Sequence, residues 1–359
     1  MQDTKIIQFA SDNYVGAHPD IAATIMASLE STEIPYGSDS YSKMAKTEFQ
    51  KHFKQDCEIF FVGTGTAANV VALKSVLRSF EAVICTDIAH INTAEGGALE
   101  NFIGAKIFTT PTHATDGKLT VSNLKQAFLN FRTSHFNKPK AVSITQSTEL
   151  GTVYTCQEIK DICDFAHANG LIVHMDGARI ANAAAFLNKT FKEMVVDTGI
   201  DILSFGATKN GAIMAEAIVV FNKHLALDMP YIQKQSMQLF SKMRFIPAQF
   251  IPYFKNNLWL NNAINANEKS YYIAKELKST KLFKILNKVE TNQIFIELPT
   301  KLKDELAKNY LFYITNENFE KNTCTIRIIT SFNTSDTDVQ KLVADFKQAE
   351  YNFLLSHSS

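Results

Sequence analysis

The stretch Leu171-Ile172-Val173-His174-Met175-Asp176-Gly177-Ala178-Arg179 decides the fold. A short apolar run ends on an acid, then a glycine, then a basic residue. Such runs, bounded by turn residues, form strands buried on both faces. Just upstream, Gln157–Asn169 has helical spacing and closes on Asn169-Gly170, a helix-ending pair. Helix therefore feeds strand here, and the same alternation extends in both directions. Strands are predicted at Glu58–Val62, Ala82–Thr86, Ala105–Thr110, Ala141–Thr145, Leu171–Met175, Ile200–Phe205 and Ala215–Phe221. A helix is predicted over Ala67–Phe80, with Val70, Leu73, Val76 or Leu77, and Phe80 on one face. This is an α/β large domain with a mostly parallel seven-stranded sheet covered by helices. Ligands sit at the carboxyl ends of strands in such sheets.

The pattern changes past residue 250. A long helical stretch rich in Asn, Ala and Lys runs over Leu258–Lys278. Strand-like runs Gln293–Leu298 and Thr323–Thr330 flank a lysine-rich helical segment. We read residues 1–250 as an N-terminal segment plus the large domain, and 251–359 as a smaller C-terminal α+β domain. A chain of 359 residues exceeds what one core usually holds. Lys plus Arg equals Asp plus Glu, 36 each, so no basic field invites nucleic acid. The five cysteines are odd in number and lack a C-x-x-C pair. That argues against a disulfide framework or a zinc set, and for free buried thiols in a reducing cytosol. No metal set is read. Met1-Gln2-Asp3-Thr4-Lys5 has no apolar signal core, and no run of about 18 apolar residues suggests a membrane span. The expected location is cytoplasmic.

Four features fall at strand ends. Phe61-Val62-Gly63-Thr64-Gly65-Thr66-Ala67-Ala68-Asn69 takes a strand through a Gly/Thr turn into a helix. The free N–H groups of a helix start suit a phosphate; the same pattern also suits a plain Thr cap. His174–Arg179 ends an apolar strand on Asp176. A buried carboxylate needs a cation or strong donors, and Arg179 or a protonated pyridine nitrogen would serve; a helix-capping Asp is the plainer alternative. His174 lies deeper on the same strand and reads as structural. Ser204-Phe205-Gly206-Ala207-Thr208-Lys209-Asn210-Gly211 places a lysine after a strand, among small residues. A desolvated lysine amine is a Schiff-base nucleophile, whereas an exposed loop lysine is the default. Asp87-Ile88-Ala89-His90-Ile91-Asn92 puts His90 after another strand, where it would stack on an aromatic cofactor or move protons, or simply be a satisfied loop residue. A phosphate cradle, an acid for a ring nitrogen and a lysine for an aldehyde, in that order on one sheet, are the contacts pyridoxal 5'-phosphate (PLP) requires.

At these residues the chain resembles the low-specificity L-threonine aldolases, PLP enzymes of the aspartate-aminotransferase fold type (fold type I). The likeness spans roughly residues 9 to 340. It is most specific in Ser11-Asp12-Asn13, Pro35-Tyr36-Gly37-Ser38-Asp39, Gly63–Thr66, Ala89–Asn92, His174–Arg179 and Ser204–Gly211. The resemblance implies that Lys209 carries PLP, Asp176 meets the pyridine nitrogen, and Gly65, Thr66 and Thr208 hold the phosphate. It also implies that His90 stacks on the ring and that Arg179 contacts the ring hydroxyl or the substrate carboxylate. Ser11 and Arg327 would grip that carboxylate. The Tyr36-Gly37 loop would reach a neighbouring subunit, implying a homodimer or homotetramer with shared sites. Many members carry a second histidine where this chain has Glu149, so Glu149, with His90, becomes the candidate base for the substrate hydroxyl. The implied reaction is cleavage of L-threonine, L-allo-threonine or other 3-hydroxy amino acids such as phenylserine to glycine and an aldehyde. A β-eliminating lyase, an aminotransferase or a racemase on the same scaffold stays open, as does a nicotinamide-binding or non-enzymatic α/β protein.

Overall fold

Seven strands form one twisted sheet in the computed structural model, which describes residues 6–112, 116–130 and 133–356. The Met1–Lys5 start read above lies outside the described residues. The strands are β1 (Glu58–Val62), β2 (Glu81–Thr86), β3 (Lys106–Thr110), β4 (Lys138–Thr145), β5 (Ile172–Gly177), β6 (Ile202–Gly206) and β7 (Glu216–Val220). Their order across the sheet is β1-β7-β6-β5-β4-β2-β3. Only β7 runs antiparallel to its neighbours; the other pairings are parallel. β2, β6 and β7 are buried at every position, which is why their sequences are mostly apolar rather than alternating.

Most expected elements appear with ends shifted by a few residues. The helix over Cys156–Ala168 starts in a Thr155/Glu158 capping box and stops at Asn169. The helix expected over Ala67–Phe80 is Gly65–Lys74. It ends early because the Ser75 hydroxyl bonds back to the Ala72 carbonyl at 2.7 Å, a local bond that competes with the helix.

A smaller antiparallel sheet has the order Tyr313–Asn318, Thr323–Ile329, Gln293–Pro299, Lys284–Ile285. Helices Thr300–Leu306 and Asp336–Ser356 pack with it. The edge strand Tyr313–Asn318 escaped the sequence reading because it is exposed and mostly polar. The two cores meet later than the expected 250/251 boundary. Phe250, Tyr253, Phe254 and Trp259 belong to the large core, whereas Ile273 and Leu277 belong to the small one. The change falls inside the single helix Leu258–Leu277. Phe49 explains this, since its ring meets those of Phe250 and Phe254 at 4.9 Å, and burying such a ring stabilises by about 2–3 kcal/mol. At the other end, Ile7–Gln8 pairs with Tyr310–Leu311 and Phe9 joins the small core. The N-terminal segment thus leans on the C-terminal domain. Among the described residues no helix is long and apolar enough to cross a membrane. All five cysteines are free; Cys156 is half-buried rather than buried.

Candidate active site

The carboxyl ends of β5 and β6 touch more closely than side chains would allow. A Cβ on Gly177 would lie 2.8 Å from the Ser204 carbonyl, and one on Gly206 would lie 2.9 Å from the Ala178 backbone. Glycine is therefore required at both. This contact brings Asp176, the last side chain of β5, beside the turn that carries Lys209. Asp176 is buried. Its Oδ2 accepts from Asn69 Nδ2 at 2.9 Å and its Oδ1 from the Ala178 amide at 3.0 Å. Among the described residues it makes no ion pair, so the carboxylate meets only neutral donors. His174, one step deeper on that strand face, bridges the Ser143 and Ser204 hydroxyls at 2.9 and 3.0 Å. Burial pushes its imidazole down to about 4, so it is a neutral structural group.

Lys209 sits in the turn Thr208–Asn210 between β6 and β7. Asn210 anchors the turn: its Nδ2 donates to Tyr253 Oη at 3.0 Å and to the Trp259 carbonyl at 2.9 Å. Asn262 Nδ2 in turn donates to the Asn210 carbonyl at 2.9 Å. No hydrogen bond or ion pair holds the Lys209 amine among the described residues. Burial lowers its pKa, Arg179 adds to this, and Asp12, Asp176 and Glu216 oppose it. The net effect favours the neutral, nucleophilic amine.

The helix Gly65–Lys74 starts beside β1, capped by Thr64, whose Oγ1 accepts from the Ala67 amide at 3.1 Å. The first-turn amides of Gly65 and Thr66 have no intrahelical acceptor. A Cβ on Gly65 would meet nothing within 4 Å, so the cradle is open. Thr208 stands in the turn with Lys209. Its hydroxyl accepts from the Ala215 amide at 3.1 Å, which leaves the hydroxyl proton to donate. Glu216, at the head of β7, pairs with Gly206 and is buried. Burial pushes that Glu216 carboxyl up to about 7.

His90 begins a short helix, and its ring is about 42% exposed. Its Nδ1 lies 2.8 Å from Glu95 Oε1. That bond raises the imidazole above its ordinary value, against the opposing effect of burial. Glu149 accepts at Oε1 from the His90 amide at 2.9 Å and from the Thr145 hydroxyl at 2.8 Å. Burial pushes Glu149 up to about 7. Donor atoms of His90, Glu95 and Asp176 lie within 4.8 Å of one another, with the Asn69 amide hydrogen-bonded to both acids.

On the small-domain side, Arg179 holds Asp12 in a two-point pair, Nε to Oδ2 at 2.8 Å and Nη2 to Oδ1 at 2.9 Å. Of the partners the sequence left open for Asp176, Arg179 is thus not the one taken. Burial alone would raise Asp12, but Arg179, Lys209 and Asn292 together hold it below the usual carboxylate range. Arg327 lies over the Tyr313 ring at 5.3 Å, with its buried Nε unpartnered. Burial lowers its pKa, the Arg179 charge adds to this, and Asp12 opposes it. Ser11 Oγ accepts from the Asn13 amide at 3.1 Å, so its hydroxyl proton can still be donated. Tyr36 stands apart: its ring is half exposed and lies under Lys234 Nζ at 5.1 Å, with backbone φ +57°.

The Beta-eliminating lyase family model matches residues 8–301. A low specificity L-threonine aldolase from a Pseudomonas species is 38% identical over 95% of this chain and 97% of its own length. One from Pseudomonas aeruginosa is 39% identical over 85% and 88%. The chain belongs to the low-specificity L-threonine aldolase family. The threonine aldolase of Leishmania major superposes with a TM-score of 0.91 at 30% identity, covering 96% of this chain and 99% of that one. Serine palmitoyltransferase from Sphingomonas wittichii, at 13% identity and a TM-score of 0.71, shares the fold alone.

Within this threonine aldolase family member, the sequence reading missed Asn69, Glu95, Asn292 and Glu216 as site residues. Asn69 carried a signal, as a polar residue on an otherwise apolar helix face. Glu216, an acid at the head of an apolar strand, carried another. The partnership of Asp12 with Arg179 joins residues 167 positions apart and had none.

Proposed function

We propose that this protein is a PLP-dependent aldehyde-lyase that cleaves L-threonine and related 3-hydroxy amino acids to glycine and an aldehyde. The observation that carries the reading is the placement of Asp176 and Lys209 at one end of the sheet. Among the described residues, a buried carboxylate without an ion pair faces the same end as an amine without a hydrogen bond or ion pair. An open helix start lies nearby. This donor set fits PLP: Lys209 for the aldehyde, Asp176 for the ring nitrogen, and the Gly65 and Thr66 amides for the phosphate. The exposed face of His90 would lie against the ring. When bound, PLP supplies an electron sink for the pair left on Cα as a bond breaks.

The chain's own residues do the rest. Asp176, aligned by Asn69 and Ala178, would hold a proton on the ring nitrogen. Arg327, with its unpartnered Nε, and Ser11 bind the substrate carboxylate and so fix which bond to Cα stands ready to break. Arg179, held by Asp12, adds positive field there. Glu149 Oε1 is fixed by Thr145 and His90, which leaves Oε2 to take the proton of the substrate hydroxyl. A carboxyl near 7 is suited to that transfer at neutral pH. Lys209, its pKa lowered by burial, can take up a proton from solvent as the ammonium and pass it to Cα. We place the enzyme in the cytosol, in keeping with five unpaired cysteines. We infer a homodimer or homotetramer, in keeping with the exposed Tyr36 ring.

The test is direct. Purified protein loaded with PLP should release acetaldehyde from L-threonine, and borohydride should fix PLP to the peptide containing Lys209. Pyruvate and ammonia from serine, with no acetaldehyde from threonine, would instead assign β-elimination. Borohydride labelling elsewhere, or none, would overturn the reading.

A further inference from the structure

Behind Asp176 lies a second buried acid for which the reaction above has no use. Glu95 has a side chain with no solvent exposure. Its Oε1 receives Asn69 Nδ2 at 2.8 Å and faces His90 Nδ1 at 2.8 Å. Asn69 Nδ2 also donates to Asp176 Oδ2 at 2.9 Å. Both hydrogens of one amide are therefore spent on two carboxylates, while Asn69 Oδ1 and Glu95 Oε2 are buried without partners. Leaving two buried acceptors unpaired costs free energy. The amide is kept in this orientation because its neighbours on that side can only accept.

We propose that Glu95 and Asn69 are positioning residues: Glu95 fixes His90 with a proton on Nδ1, and Asn69 holds Asp176 and Glu95 together as one hydrogen-bonded array. The logic is one of charge. Two acids share one neutral amide, and a buried acid must find a cation. His90 is the cationic group within hydrogen-bond range of Glu95 among the described residues. Glu95 therefore draws a proton onto His90, and the imidazole is oriented by that bond at one nitrogen, leaving Nε2 for the cofactor side. Four groups act on this imidazole: Glu95 through Nδ1, Asp176 and Lys209 through space, and Glu149 through the His90 backbone amide. Asn69 meanwhile holds Oδ2 of Asp176 while the Ala178 amide holds Oδ1.

This inference rests on the PLP reading for the role of Asp176, but its test does not rest on turnover. The His90 Cε1–H titration is followed by NMR in PLP-free protein, and the PLP dissociation constant is measured separately. Glu95→Gln keeps the shape and the acceptor oxygen but removes the charge. Its His90 midpoint should fall by about one unit or more, as expected for loss of an adjacent opposite charge. Asn69→Leu should leave that midpoint raised, because Glu95 remains, and should weaken PLP binding about tenfold, the equivalent of one hydrogen bond to a charged group. An unchanged His90 midpoint in Glu95→Gln overturns the proposal, and so does unchanged PLP affinity in a folded Asn69→Leu protein. If Asn69→Leu does not fold, the Glu95→Gln titration decides alone. Failure of the aldolase reading is visible separately, as PLP binding without threonine cleavage.

Discussion

Replacing Glu149 with glutamine should make the protein more stable and much less active, and the two effects have one cause. In the native state burial lifts the Glu149 carboxyl from 4.5 to about 7, with the Thr145 hydroxyl and the His90 amide partly offsetting the shift. Between those values the folded protein holds a proton that the unfolded chain has released. Stability therefore falls as pH rises through that window. Each unit is worth about 1.4 kcal/mol, so above pH 7 the ionised side chain costs the fold on the order of 3 kcal/mol. Glutamine never ionises, yet its amide oxygen can accept the same two hydrogen bonds. PLP-free Glu149→Gln protein should melt higher than the parent at pH 8.5 and equally at pH 4.5. The same change removes the base for the substrate hydroxyl, a loss of about 10²–10⁴ in kcat. Acetaldehyde release, coupled to its reduction by NADH, reads the second effect. A variant that keeps its rate within a factor of about three contradicts the assignment of the base. A variant that gains nothing at high pH contradicts the buried, raised carboxyl.

Lys209→Ala should lose turnover and leave nothing for borohydride to fix, as mass spectrometry of the peptide would record. Arg327→Lys should raise the KM for threonine about tenfold or more with a smaller effect on kcat, because an ammonium cannot present the planar fork of Arg327; initial-rate kinetics separate the two. His174 is held neutral at about 4 by burial, so the native state resists a proton that the unfolded chain accepts near 6.5. Stability should drop by roughly 3 kcal/mol as pH falls from 6.5 toward 4. In His174→Asn the melting temperature at neutral pH should be lower and that acid limb flatter.

The parallel sheet was legible because its strands are buried on both faces and so appear as short apolar runs between helical stretches. Lys209, Asp176 and the Gly65–Thr66 turn could be read locally, since each lies at the end of such a run. The edge strand Tyr313–Asn318 could not, because a solvated edge needs no apolar pattern.

The amino-acid sequence by itself determined roughly where strands end and which side chains stand at those ends, because periodicity and turn residues act over a few positions. Only the tertiary structure decided which charge answers which. Arg179 pairs with Asp12 rather than Asp176, and Asn69 spans two acids. The division between the cores falls inside the helix Leu258–Leu277 rather than before it at residue 250. The physical reason is the same in each case. A charge or a ring buried away from water takes the partner that packing brings within reach, and that partner's distance along the chain leaves no trace in local pattern.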